Sequence, residues 1–232
     1  MTAYHGGKQK IGKEIASVIY DIVSKTESKF KGYCEPFCGM CGVYQYIQDL
    51  FKDHQRMTYR ASDINESLIL MWQDAQSGWL PPTSIFSVTE FDKLKGDGVS
   101  SSLKGFIGHM YSYRGIYFSS YFKHTGSKIA YSSNRVSHLA LNKMNKVKFH
   151  HGNYTRFSGL KNHILYCDPP YSTTECRFYD EETNIRRFDN NKFYKWLEKM
   201  AKTNLVFVSE RADLPYKCVA IMSNEEKLFI VT

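Results

Sequence analysis

Between Lys10 and Ala75 the sequence alternates between two hydrophobic periods, and this restricts the fold more than any other feature. Ile11, Ile15, Val18, Ile19, Ile22 and Val23 recur at helical spacing within Lys10 to Ser28. Gly32 then interrupts the chain, and Tyr33-Cys34-Glu35-Pro36-Phe37 reads as a short strand entering a Gly-rich turn. Val43 to Phe51 reads as a helix, Met57 to Ala61 as a strand ending at Ser62-Asp63, and Glu66 to Ala75 as a helix. Strands that alternate with helices at this spacing need crossover connections, so the expected class is α/β with a parallel sheet.

The alternation then stops. Gly78 to Asn134 carries Pro81-Pro82, many Gly and Ser, and a dense aromatic-basic tract, and reads as an inserted module. Strands resume at Val147 to His150 and His163 to Cys167. A helix is expected at Asn191 to Lys202, then strands at Asn204 to Ser209, Lys217 to Met222 and Lys227 to Val231. The expected division is a main domain of residues 1–76 and 137–232, with 77–136 inserted. A chain of 232 residues is long enough for one such core with a small insertion.

The apolar run His163-Ile164-Leu165-Tyr166-Cys167 ends at Asp168-Pro169-Pro170-Tyr171. Ligands of open α/β sheets bind at the carboxyl ends of strands, which places Asp168 and Tyr171 at a site mouth. Two prolines stiffen the chain there and keep it extended. A carboxylate, a backbone carbonyl and an aromatic face then stand together. That trio suits an aromatic exocyclic amine, a poor nucleophile whose lone pair is delocalised into its ring. Acceptors on both N–H bonds favour the pyramidal, more nucleophilic form, and charge-assisted bonds are the stronger kind. Tyr171 supplies a stacking face for the base.

Glu35-Pro36-Phe37-Cys38-Gly39-Met40-Cys41-Gly42 is a Gly-rich turn after the first strand, of the sort that lets a cofactor approach the backbone. It lacks the spacing of the dinucleotide fingerprint, which argues against hydride transfer. Asp63, at the end of the second strand, can grip ribose hydroxyls or cap a helix. Tyr4-His5-Gly6-Gly7-Lys8 has neither the upstream glycine nor the following Ser or Thr of a triphosphate loop. Cys34, Cys38 and Cys41 have no obvious fourth partner nearby, which favours buried or turn cysteines over a zinc site.

The net charge is +8, but its distribution is more telling. No carboxylate occurs between Asp97 and Asp168, a stretch that holds Lys104, Arg114, Lys123, Lys128, Arg135, Lys143, Lys146, Lys148, Arg156 and Lys161. The remainder is slightly acidic. Such one-sided basicity is the footprint of a polyanion partner, or of a solvated basic face. No apolar run reaches membrane-spanning length and the N-terminus lacks a hydrophobic signal region, so a cytoplasmic location is expected (the host-cell cytoplasm for a viral protein).

Taken in order, Tyr-x-Gly-Gly-Lys, Glu-Pro-Phe-x-Gly, Asp-Ile-Asn, an inserted region and Asp-Pro-Pro-Tyr resemble the Dam-like class of DNA adenine methyltransferases, phage and viral members included. The likeness continues through Phe188-Asp189, Phe193 to Trp196, Val208-Ser209-Glu210, Leu214-Pro215 and Glu226-Lys227-Leu228. The resemblance implies a Rossmann-like methyltransferase sheet with helices on both faces and an inserted DNA-recognition subdomain. It implies S-adenosylmethionine as methyl donor, S-adenosylhomocysteine as product, and no metal. Tyr4, Lys8, Glu35, Phe37, Gly39, Asp63, Asn153, Tyr154 and Asp168 are then expected at the cofactor. Asp168, Pro169, Pro170 and Tyr171 are expected at a flipped adenine of double-stranded DNA. In the insertion, Arg114 is expected at a guanine edge and Lys123 and Lys128 at phosphates, with Tyr113 and Arg135 also at the DNA. Two positions depart from the family pattern: Cys41 stands where glycine is common, and Asn153 where aspartate often follows Gly152. A cognate restriction endonuclease, an RNA substrate and a non-catalytic DNA-binding role all stay open at this point.

Overall fold

A computed structural model of the chain describes residues 4, 6–54, 56–171, 177–178 and 186–231. His5 of the N-terminal motif lies outside them. Seven strands form one sheet: β1 (Gly32–Glu35), β2 (Thr58–Asp63), β3 (Val147–His151), β4 (His163–Cys167), β7 (Leu205–Glu210), β8 (Lys217–Ile221) and β9 (Lys227–Val231). The short β5 (Arg177–Phe178) and β6 (Arg186–Arg187) pair antiparallel as a separate ladder. The sheet order is β3-β2-β1-β4-β7-β9-β8. The first five strands run parallel; β9 is antiparallel to both β7 and β8.

β4 is buried on both faces, and successive side chains point opposite ways. Ile164 and Tyr166 join the larger hydrophobic cluster with Tyr33, Phe207 and α1 (Gly12–Ser24). Leu165 and Cys167 join a second cluster with Phe193, Trp196, Leu197 and Met200 of α7 (Asn190–Ala201). An antiparallel sheet with one wet face would alternate apolar with polar residues. The continuous apolar run of β4 instead reflects a central strand covered on both sides. The expected α/β sheet with helices on both faces is what forms.

α2 (Tyr44–Leu50) follows β1, and α3 (Glu66–Gln76) follows β2. Asn65 caps α3 by accepting the Leu68 N–H at 3.1 Å, and Asp189 caps α7 by accepting the Lys192 N–H at 2.9 Å. Residues 77–136, read from sequence as an inserted module, hold α4 (Val88–Gly96), α5 (Ser102–Met110) and most of α6 (Gly126–His138). Phe91, Phe106, Ile107, Met110, Ile129 and Val136 from these helices belong to the larger cluster of the sheet itself. The inserted residues therefore share the main core. Ser101 also donates its N–H to the Ser67 hydroxyl at the start of α3.

Candidate active site

Five parallel strands share a carboxyl edge, and the chain order reverses between β1 and β4. A crevice opens where the loops on the two sides of such a reversal diverge. The Pro36–Gly42 loop after β1, Asp63 closing β2, Asn153 and Tyr154 after β3, Asp168–Tyr171 after β4 and Glu210 closing β7 all stand on that edge.

Asp168 meets a partner from the far N-terminus. The Lys8 Nζ lies 2.6 Å from Asp168 Oδ1, 3.4 Å from Glu226 Oε1 and 5.0 Å from the centre of the Tyr171 ring. It also donates to the Gly6 carbonyl at 3.1 Å. Lys8 is only 6% exposed and the Asp168 side chain 17%. Burial pushes the Asp168 carboxyl up to about 6; Lys8 opposes that rise, while Glu226 and Glu210 add to it. Burial, then the charges of Asp168 and Glu226, raises the Tyr171 hydroxyl far above its usual range, so this ring is neutral.

Lys8 is held in place by its own backbone. A side-chain carbon on Gly42 would sit 2.8 Å from the Lys8 carbonyl carbon, so only glycine lets the two segments touch. At Gly39 (φ +47) such a carbon would lie 2.8 Å from the Tyr4 ring. The loop glycines thus let the chain's own N-terminal segment come close to the loop. Cys41 takes φ +54, a left-handed geometry that costs a side-chain-bearing residue roughly 1–2 kcal/mol. That geometry gives the glycine preference at this position a physical reason. Cys34, Cys38 and Cys41 are all buried thiols, the first within β1 and the others in the turn.

Asp63 ties the loop to β2. Its Oδ2 accepts the Gly39 N–H at 3.0 Å and its Oδ1 accepts the Asn65 N–H at 2.9 Å. The Ile64 N–H also bonds to this carboxylate, whose two oxygens together offer about four acceptor sites. Burial raises its carboxyl, and these backbone N–H bonds hold the rise in check. Tyr4 packs on His109 of α5, with ring centres 4.7 Å apart, and links the inserted helices to the crevice. Burial drops the His109 imidazole to about 4, so this contact is between neutral rings.

The remaining expected cofactor residues divide into two kinds. Phe37 is partly exposed and stacks on Tyr154 at 5.6 Å. Tyr154 is buried among Phe193 and Trp196 and backs Phe37 from the core side. Asn153 spends its side-chain oxygen on the Thr155 N–H, capping a short helical turn. Glu35 is buried beneath the loop, takes a hydrogen bond from the Tyr33 hydroxyl at 2.8 Å, and has its carboxyl raised by burial.

In the insertion, Tyr113, Arg114, Lys123 and Lys128 are exposed. Tyr113, Arg114 and Lys128 line a concave patch with Ser112, Phe122 and His124. Arg114 adopts φ +56 and lies 5.4 Å from the Tyr113 ring. Arg135 is placed differently: it is half-buried and donates to Gln45 of α2 at 2.7 Å. The basic tract is also less free than its count suggests. Lys104 is fully buried and paired with Asp97 at 3.1 Å, and Lys143 pairs with Asp49 at 2.5 Å.

Sequence reasoning did not single out Glu210 and Glu226 as site residues. Both are buried, and both act electrostatically on Asp168. Each lies in a segment of the C-terminal likeness, but a lone glutamate in a strand end or hairpin carries no motif of its own.

Residues 4–90 match the family model described as D12 class N6 adenine-specific DNA methyltransferase. Over those residues the chain is similar to that family. The matched span holds Lys8, Glu35, Phe37, Gly39 and Asp63; the Asp168 corner follows it in the chain. That description names methylation of adenine N6 in DNA. No curated protein matches the chain. Among solved structures, the rRNA methyltransferase AviRa from Streptomyces viridochromogenes aligns at 12% identity and TM-score 0.42, over 94% of this chain and 83% of that one. SMU.472, a putative methyltransferase complexed with SAH, aligns at 10% identity and TM-score 0.34, over 97% of this chain and 54% of that one. Among the described residues, no helix of this chain is long and apolar enough to cross a membrane.

Proposed function

We propose that this chain is a site-specific DNA adenine-N6 methyltransferase acting on a flipped adenine in double-stranded DNA, with Asp168, Pro169, Pro170 and Tyr171 at the reacting centre. The observation that carries the reading is the 2.6 Å contact between Lys8 and Asp168. It brings the N-terminal motif of the D12 match to the Asp-Pro-Pro-Tyr corner beyond it.

In this reading the target amine donates to Asp168 and to the Pro169 carbonyl, while its base stacks on Tyr171. The bound S-adenosylmethionine supplies an electrophilic methyl group carried on a sulfonium. The side chains of the crevice suit that molecule. Asp63 keeps acceptor capacity for a ribose diol, Phe37 offers an aromatic face, and Asp168, Glu210 and Glu226 form an acidic wall for positive charge. Positive charge develops on the amine nitrogen during transfer. A nearby buried carboxylate stabilises it far more than water would, and Asp168 then takes the N–H proton. No covalent enzyme intermediate is required, and orientation supplies much of the rate.

Residues 77–136 form the DNA-recognition part in this reading. Tyr113, Arg114, Lys123 and Lys128 face the duplex, and Arg135 braces α6 against α2. Residues 1–76 and 137–232 form the catalytic part, and the setting is the cytoplasm. The test is transfer of labelled methyl to mixed-sequence duplex DNA, with nucleoside analysis, for the wild type and Asp168→Ala. Methylated adenine from the wild type alone is the expected result. Methylation confined to a matched single-stranded RNA would move the substrate to RNA. Cofactor and DNA binding without transfer to either would leave a non-catalytic DNA-binding protein.

A further inference from the structure

Glu226 sits in the hairpin between β8 and β9, far along the chain from every residue of the proposed centre, yet it is 2% exposed and aimed into that centre. Its backbone is fixed on both sides. The Glu226 N–H donates to the Asn224 side chain at 3.2 Å, and its carbonyl accepts the Met222 N–H at 2.7 Å. The preceding Glu225 takes φ +66, which is unfavourable for a side-chain-bearing residue. A strained, doubly tethered turn that buries a carboxylate is not explained by packing, because burying a charge is costly unless it is paired. Its charged partner is Lys8, whose ammonium stands 3.4 Å from Glu226 and 2.6 Å from Asp168, and the Tyr171 hydroxyl also hydrogen-bonds to Glu226.

We infer that Glu226 is a positioning residue for the methyl transfer, holding the Lys8 ammonium between two carboxylates so that Lys8 fixes Oδ1 of Asp168 and orients that group toward the target amine. This rests on the methyltransferase reading above. The charge pattern follows from it. One ammonium between two carboxylates leaves the cluster net negative, as a centre that gathers positive charge on a nitrogen requires. Replacing Glu226 with a neutral group frees Lys8 to neutralise Asp168 fully, which weakens Asp168 as an acceptor.

Several charged or titratable groups face Asp168: Lys8 ahead of α1, Glu35 of β1, Tyr166 of β4, Tyr171 beyond it, Glu210 of β7, Glu226 of the hairpin, and Tyr4. Glu226 and Glu210 both raise the Asp168 carboxyl, and of these two Glu226 is the one 3.4 Å from the Lys8 ammonium. Removing it lowers the pH at which Asp168 ionises; removing the Lys8 charge raises that pH.

The experiment compares wild type, Glu226→Gln and Lys8→Met in two readouts. The first is the pH profile of kcat for methyl transfer to duplex DNA. Glu226→Gln is expected to lower kcat on the order of tenfold to a hundredfold, as mis-set catalytic groups do, with KM for DNA little changed. The acid limb moves to lower pH in Glu226→Gln and to higher pH in Lys8→Met. The second readout is the carbon-13 carboxyl titration of Asp168, assigned with Asp168→Asn, and it needs no turnover. Glu226→Asp, which keeps the charge on a shorter arm, controls for folding: it should keep the wild-type titration midpoint while losing rate. An Asp168 midpoint unmoved in folded Glu226→Gln overturns the inference. An absence of transfer by the wild type overturns the methyltransferase reading instead, and the titration still decides whether Glu226 acts on Asp168.

Discussion

Replacing Asp168 by asparagine should stabilise the folded chain at alkaline pH while removing its methyl transfer. A carboxyl that folding raises from 3.8 to about 6 binds its proton more tightly in the native state than in the unfolded one. Native stability from this group is therefore fully present below pH 3.8 and is lost as the pH climbs through about 6. Each pH unit is worth about 1.4 kcal/mol, so ionised Asp168 costs the native state about 3 kcal/mol at pH 8. At pH 4, close to the unfolded value, little of that cost remains. Asparagine resembles the protonated acid in size and lacks its charge, and the Lys8 ammonium keeps Glu226 as its partner at 3.4 Å. Urea unfolding at pH 8 and pH 4 measures the effect. Asp168→Asn should gain about 3 kcal/mol over the wild type at pH 8, with most of that gain gone at pH 4. A variant that is no more stable than the wild type at pH 8, or a gain of equal size at both pH values, would refute the reasoning. The cost of a buried, ionised acceptor is what a reacting centre pays to have one.

Two further outcomes test the crevice and the basic face. Gly39→Ala places a methyl group 2.8 Å from the Tyr4 ring at φ +47; we expect a loss of about 1–2 kcal/mol in thermal unfolding and weaker S-adenosylmethionine binding by calorimetry, and unchanged values in both would remove the loop from the site. Lys128→Ala should lower the slope of log affinity for duplex DNA against log salt by about one phosphate contact, whereas Arg135→Gln, whose guanidinium serves Gln45, should leave that slope unchanged and cost stability instead; a shift in the Arg135→Gln slope would place it on the DNA.

Much of this molecule was legible before any coordinates. Hydrophobic period alone separated strands from helices, because a strand buried on both faces and an amphipathic helix leave different residue patterns. β4 is the clearest case: its apolar run and the prolines after Asp168 fix a central strand and a rigid corner with no tertiary information. The glycine-rich turn and the carboxylate ending β2 could likewise be placed on the sheet edge.

The sequence could not say what fills the spaces between such elements. Gly39 and Gly42 read as room for a cofactor, but not as the places where Tyr4 and Lys8 come close to the loop. Lys104 and Arg135 counted equally with Arg114 in the basic tract, yet the first is buried against Asp97 and the second serves α2. Residues 77–136 read only as an insertion, without assigned elements, because Gly, Ser and Pro hide the helical period of the helices that pack on the sheet's own core. Glu210 and Glu226 were silent because a solitary acid has meaning only through its neighbours. Local pattern specifies which element a residue joins, since that depends on nearest neighbours in the chain. Charge pairing, burial and the ionisation of Asp168 depend on groups as distant in sequence as Lys8 and Glu226, and folding alone brings those together.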